Sequence, residues 1–174
     1  EISPEVLTIF AAIFSVAGFV KGVIGFGLPT ISIGLLGLLI APDQAAAILI
    51  VPTFLTNVWQ AFVGSHTLAV LRRLWPMLAG VFLGTLMTAG IITGADPRLA
   101  ATFIGIMLVI YAALGLFGFR FLVSRSTEIV GGPAAGLTTG LINGATAIFI
   151  LPGTLYMQAI ELSKGELIQG LGFL

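Results

Sequence analysis

The chain has 174 residues, of which 58% are hydrophobic and 8% charged, and its mean hydropathy is +1.17. A soluble domain carries roughly 25% charged residues, so the composition excludes an ordinary soluble fold and points to an integral membrane protein. A net charge of zero argues against a nucleic-acid partner, and the lack of cysteine excludes disulfides, thiolate metal sites and thiol nucleophiles.

The first stretch, EISPEV, has neither a basic n-region nor a cleavage pattern, so no signal peptide is expected. It also begins without Met. An apolar run then extends from Val6 to Ala41, well beyond the ~20 residues of one membrane crossing. Gly18, Gly22, Gly25, Gly27 and Pro29 interrupt its middle beside Lys21. Glycine and proline at membrane depth mark broken helices, where protein or a watery cavity surrounds the exposed backbone. Transporters bind substrate at such breaks. Residues 5–41 therefore read as one broken element: a helix to about Lys21, an irregular GVIGFGLP turn and a second helix.

Asp43 follows as an expected helix N-cap, and 44–64 is the next crossing, kinked at Pro52. Thr53, Thr56, Asn57 and Gln60 fall on one face of it. His66, Arg72 and Arg73 read as a polar loop, with Trp75 at headgroup level. Residues 76–93 form a crossing whose Gly80, Gly84 and Thr88 suit close helix packing. Asp96, Pro97 and Arg98 make a turn, 99–119 crosses again, and residues 120–128 form a further polar loop.

A second broken element is expected over 131–160. Gly132, Gly136, Gly140 and Gly144 recur every four residues. AGFVKGVIG at 17–25 aligns with AGLTTGLIN at 135–143, and Leu28–Pro29 pairs with Leu151–Pro152 after a slip of five. The glycine period alone would also suit ordinary helix packing, so the joint match carries the duplication. The chain then stops inside a new apolar run, ELIQGLGFL, and reads as cut in mid-element. The domain reading is a first repeat at 1–130 and an incomplete second repeat at 131–174.

Short cytoplasmic loops are rich in Lys and Arg. Arg72 and Arg73 mark one such loop, and Arg120 and Arg125 mark another. The first broken element then starts and ends outside, as a re-entrant hairpin or two crossings, whereas its copy starts inside. The repeats are therefore inverted.

Lys21 is the leading candidate for a site. A lysine in hydrocarbon faces a cavity or snorkels to an interface, and it lies ~24 Å along a helix from Glu5. Beside free glycine N–H groups it would attract an anion. Asn57 and Gln60 could hydrogen-bond an oxyanion or join helices. Asn143, Thr138, Thr139 and Thr146 are the equivalent set at the second break, where Asn143 could instead form a turn. Gly25, Gly27 and Gly144 read as backbone requirements of the breaks. The GFG at 25–27 lacks the strand context of a nucleotide fingerprint, and His66 has no carboxylate partner. The acids Glu1, Glu5, Asp43, Asp96, Glu128, Glu161 and Glu166 all fall at ends, turns or helix margins, so no intramembrane proton relay is visible. An anion leaving a negative-inside cell gains ~2.3 kcal/mol per charge per 100 mV without one.

The segments AGFVKGVIGFGLPT, LIVPTFLTNVWQA, NGATAIFILPGTLYMQA and KGELIQGLG together resemble the sulfite exporter family, TauE/SafE-like. The resemblance implies a bacterial inner-membrane transporter with two inverted repeats, exporting sulfite or an organosulfonate such as sulfoacetate by alternating access. It implies a substrate site around Lys21, Gly22, Gly25, Phe26, Gly27, Pro29, Asn57 and Gln60, with Asn143, Gly144, Thr146 and Pro152 from the second break. The chain departs from the family in ending before the second repeat's partner helices. It also has NGATAIF where a fuller glycine cluster is usual. The expected fold is an all-α polytopic membrane protein. Its partners are a small anion and lipid; no metal, cofactor or catalytic residue is expected. Another organic anion, a metal-related solute or a non-transporting scaffold role are the alternatives. An intramembrane enzyme would have almost no chemistry available.

Overall fold

A computed structural model describes residues 4–94, 96–117, 122–146 and 152–174. These residues form nine helices and no strand. Helix α1 (Pro4–Ile24) opens with proline at its first position and Glu5 in its first turn, both favourable at a helix N-terminus. It ends where Gly25 and Gly27 take φ of 85° and 108°, a left-handed conformation that glycine adopts without steric cost. Gly27 then caps the nine-residue α2 (Leu28–Leu36). The break therefore falls at 25–27, one turn later than a helix end at Lys21.

Helix α3 (Pro42–Phe62) follows, with Pro52 inside it. Its N-cap is Ala41 rather than Asp43, which sits in the first turn. Pro42 suits the first helical position, where its missing N–H is not needed, and this moves the start upstream of the expected cap. Helix α4 (Thr67–Thr88) carries Pro76 in its interior. The sequence places the start of this crossing at Pro76 and Arg72 and Arg73 in a loop, whereas in the structure both arginines are helical. Proline inside a membrane helix is tolerated where neighbours compensate for the freed carbonyl.

The short α5 (Ile91–Gly94) and then α6 (Pro97–Phe117) lead to α7 (Arg125–Thr146). Helix α7 begins upstream of residue 131, so Arg125 and Glu128 belong to its first turn rather than to a loop. Helices α8 (Gly153–Ala159) and α9 (Lys164–Gly172) complete the chain. Ser163 and Glu166 form a reciprocal capping box at the start of α9. Hydrogen bonding to Ser163, first through its side chain and then its backbone, holds the Glu166 carboxyl below its ordinary value. Glu1, Arg120 and residues 147–151 of the expected second broken element lie outside the described residues.

Helices α1, α3 and α4 are each long and apolar enough to cross a membrane. Their outward side chains, among them Phe19, Val23, Phe54, Trp59 and Phe82, are exposed. Such extensive apolar exposure belongs to a lipid-facing surface. One buried cluster joins Ile13, Ala17, Leu28, Ile33, Leu36, Ala45, Leu49 and Ile104. A second joins Val70, Leu74, Met77, Met157, Ile160 and Leu171.

The closest backbone approach is between α4 and α7, which run parallel. A Cβ on Gly80 would lie 2.6 Å from the Pro133 carbonyl, and one on Gly84 2.7 Å from the Leu141 nitrogen. Cβ atoms on Gly136, Gly140 and Gly144 would strike Met77, Val81 and Thr88 in turn. Thr88 Oγ1 donates to the Leu141 carbonyl at 3.0 Å. The glycine period of α7 thus has its physical cause in α4. Helix α9 runs antiparallel to α3, since Gly165 lies against His66 while Gly172 lies against Asn57 and Ala61.

Candidate functional site

The site forms where α1 stops. Lys21 occupies the last turn of α1 and is only 8% exposed. Its ammonium does not extend along α1 toward an interface. It turns sideways to α3, donating to Thr56 Oγ1 at 3.0 Å and to Asn57 Oδ1. Thr56 passes its own proton to the backbone carbonyls of Pro52, at 2.7 Å, or Thr53, at 3.1 Å. An ammonium has three donors, so one N–H of Lys21 is left over. The Asn57 NH₂ also makes no hydrogen bond among the described residues. The one ion pair among those residues joins Arg73 to Glu128, so Lys21 faces no carboxylate there. A buried charge without a counter-charge is costly.

The break adds backbone donors. Gly25 N–H closes onto the Lys21 carbonyl at 2.8 Å, and the first bond of α2 runs from Ile31 N–H to the Gly27 carbonyl at 2.9 Å. Between them, the N–H groups of Phe26 and Gly27 have no partner among the described residues. A helix also leaves its first N–H groups unpaired, here those of Leu28 and Thr30, since Pro29 has none. Oriented N–H groups at such a turn attract anions.

Two cavities meet at Lys21. The smaller, about 20 Å³, is lined by Lys21, Gly25, Phe26, Gly27, Pro29 and Asn57, with Leu171 and Leu174 opposite. The larger, about 520 Å³, is lined by Lys21, Gly22, Gly25, Thr56 and Gln60 together with Gly18, Leu28, Trp59 and Ile168. Every residue expected at the first break therefore lines one cavity or the other.

The residues expected at the second break do not join them. Asn143 donates to Thr85 Oγ1 at 3.2 Å across the α4–α7 contact, and its Oδ1 is buried without a partner. Gly144 packs against Thr88 in the same contact. Thr146 is buried and donates to the Ile142 carbonyl at 2.7 Å. Pro152 caps α8, and its carbonyl accepts from Tyr156 N–H at 3.0 Å. None of the four lines either cavity.

The structure also shows polar pairings that the sequence reading does not contain. Arg73 binds Glu128 through two hydrogen bonds, of 3.1 and 2.7 Å, and donates to the Ile160 carbonyl at 2.8 Å. It thereby joins α4, α7 and the end of α8. Gln169 accepts from His66 N–H at 2.9 Å and donates to the Ala61 carbonyl at 3.2 Å and Thr67 Oγ1 at 2.8 Å. Its signal was available, as a lone amide inside an apolar terminal run. Arg73 and Glu128 are 55 residues apart, and nothing local links them. Among the described residues, no group of three or more His, Cys, Asp or Glu could hold a metal.

Residues 9–170 match the family described as Sulfite exporter TauE/SafE. No curated protein and no solved structure matches the chain. With that match covering nearly the whole chain, over apolar spanning helices and a buried lysine at a helix break, the protein belongs to the TauE/SafE sulfite exporter family, which consists of membrane transporters rather than enzymes.

Proposed function

We propose that this protein exports a small sulfur oxyanion, sulfite or an organosulfonate such as sulfoacetate, across a bacterial inner membrane by alternating access. The observation that carries the reading is Lys21: buried, without a carboxylate partner among the described residues, and surrounded by unused N–H donors. An oxyanion supplies both the missing counter-charge and the missing acceptors. In this reading the anion is held by the spare Lys21 N–H, the Asn57 NH₂ and the backbone N–H groups of 26–28, once the smaller cavity, at about 20 Å³ roomy enough for only about one water, has widened.

The order of elements supports a division into two repeats, with the second starting at α7 and so at Arg125 rather than at residue 131. Long helix, break, short helix, turn and helix describe α1–α3. The series α7–α9 likewise runs long helix, short helix, turn and helix among the described residues. The corresponding α3 and α9 are antiparallel, as inverted repeats require. Asn143, Gly144, Thr146 and Pro152 then shape the second half's break without touching the anion.

A second reading, transport of another small organic anion, is favoured by the larger cavity. Its 520 Å³ and apolar walls have room for a carbon chain beside Lys21. Uptake of labelled sulfite, sulfoacetate and a sulfur-free carboxylate into proteoliposomes separates the two, under an imposed potential with and without a pH gradient. Potential-driven sulfite or sulfoacetate flux that Lys21→Ala abolishes is the expected result. Flux of the carboxylate alone would sink the sulfur-anion assignment, and a Lys21→Ala variant with full activity would sink the site.

A further inference from the structure

Gln60 was expected among the groups that hold the anion, but its geometry gives it another task. It lines the larger cavity and not the smaller one, whereas Gly25 lines both. Gln60 therefore approaches the break from behind. A carboxamide has two donors and one acceptor end. Gln60 Nε2 donates to the Gly25 carbonyl and to the Ile168 carbonyl, each at 2.7 Å. Two carbonyl neighbours admit only the NH₂ end, which fixes how the amide is turned. Its remaining group, Oε1, is an acceptor and would repel an anion.

The Gly25 carbonyl shares a peptide unit with the Phe26 N–H. In a trans peptide the two point in opposite directions. That unit lies between Gly25 and Gly27, both at positive φ and outside any helix, so no helical ladder orients it. The Gln60 bond does. The same carboxamide also reaches α9, whose Leu171 walls the smaller cavity.

We infer that Gln60 is a positioning residue: by holding the Gly25 carbonyl it aims the Phe26 N–H into the anion cavity, and through the Ile168 carbonyl it ties that aim to the position of α9. This rests on the anion-carrier reading above. When α9 withdraws from the cavity, the Ile168 bond breaks and the Gly25–Phe26 peptide loses half of the group that steadies it. Binding geometry and α9 position are thereby linked through one side chain. Gln169, with both ends of its amide occupied, anchors the neighbouring part of α9 to the α3–α4 connection.

Amide hydrogen exchange on the anion-free protein, compared with Gln60→Met, tests this directly. Exchange about tenfold faster at Gly25 and Ile31, the hydrogen-bonded amides that flank the break, and at residues 168–171, but unchanged elsewhere, is the expected result when Gln60 no longer steadies both segments. In proteoliposomes the same variant should raise the KM for sulfite about tenfold with kcat nearly unchanged, the effect of one lost charge-assisted bond. A raised KM with unaltered anion-free exchange would make Gln60 a direct ligand and overturn the inference. Faster exchange along the whole chain would reduce it to general packing, with the same consequence. Gln60→His keeps one N–H for the Gly25 carbonyl and should fall between wild type and Gln60→Met; it replaces the methionine variant if that fails to fold. Should the wild type carry no sulfite, the carrier reading falls, while anion-free exchange still decides whether Gln60 holds the break.

Discussion

Lys21 sets the terms at the scale of single residues. Its hydrogen bonds to Thr56 and Asn57 satisfy two of its donors but not its charge. Stability and function should therefore part company there. Lys21→Met is expected to leave the thermal midpoint in detergent unchanged or higher, because it removes an unpaired buried charge. Transport should fall by more than about thirtyfold, the scale of losing a desolvated charge from a binding pair. Arg73 should behave the other way. Arg73→Ala leaves Glu128 and the Ile160 carbonyl without their donors and should destabilise by about 1–3 kcal/mol in thermal unfolding. Arg73→Lys should recover little of this, since a lysine cannot make the paired contact. Lys21 and Asn57 were legible in the sequence because a lysine in an apolar run and an amide on a polar helix face are anomalies in themselves. The Arg73–Glu128 pair was not, because each residue looks ordinary at a helix margin and only the fold brings them together.

Glycines distinguish the elements from one another. On α4 and α7 they allow two backbones to touch, whereas Gly18 and Gly22 on α1 have nothing within 4 Å of the position a Cβ would take. A paired experiment follows. Gly84→Val should cost ~3 kcal/mol or prevent folding through overpacking, while Gly18→Ala and Gly22→Ala should stay within about 0.5 kcal/mol in the same unfolding assay. Periodicity announced a small-residue face on α7 but could not name what packs on it. The duplication and the α4 contact both account for the same four-residue spacing. Helix starts were misplaced at Pro76 and near residue 131 for a related reason. Proline and glycine usually punctuate helices in water, but a packed membrane bundle can carry both through a helix interior.

At the scale of the whole molecule, charge collects at one end. The start of α4 carries Arg72 and Arg73, and the Arg73–Glu128 pair brings the start of α7, with Arg125, beside it. His66 lies against Gly165, which places the start of α9 and Lys164 there too. By the excess of positive charge, the four Lys and Arg residues at this end are expected to face the cytoplasm. The chain has no cysteine, so single replacements report topology cleanly. Ser65→Cys should react with a membrane-impermeant maleimide only after the cells are opened, and Asp96→Cys should react on intact cells. The reverse pattern would invert the molecule. Charge counting in the sequence proposes the same orientation because it needs no knowledge of packing. Which faces line a cavity did need it, and that is why the second-break residues were gathered with the first.

The solitary ammonium at the break also bears on how the carrier would respond to voltage. An empty site holds one positive charge, and a monovalent anion would cancel it. The loaded protein then changes access with no net charge at its centre, while the return of the empty protein takes place against or along the field. A negative-inside potential of 100 mV acting on one charge is ~2.3 kcal/mol across the full membrane, and it favours whichever state places Lys21 electrically nearer the cytoplasm. The resting membrane would thus cock the empty carrier toward the compartment where anion is loaded. A divalent anion would leave one net negative charge on the loaded site, so that both half-cycles would then move charge. Pre-steady-state currents should therefore show a loaded step that is electrically silent with a monovalent substrate and moves charge with a divalent one.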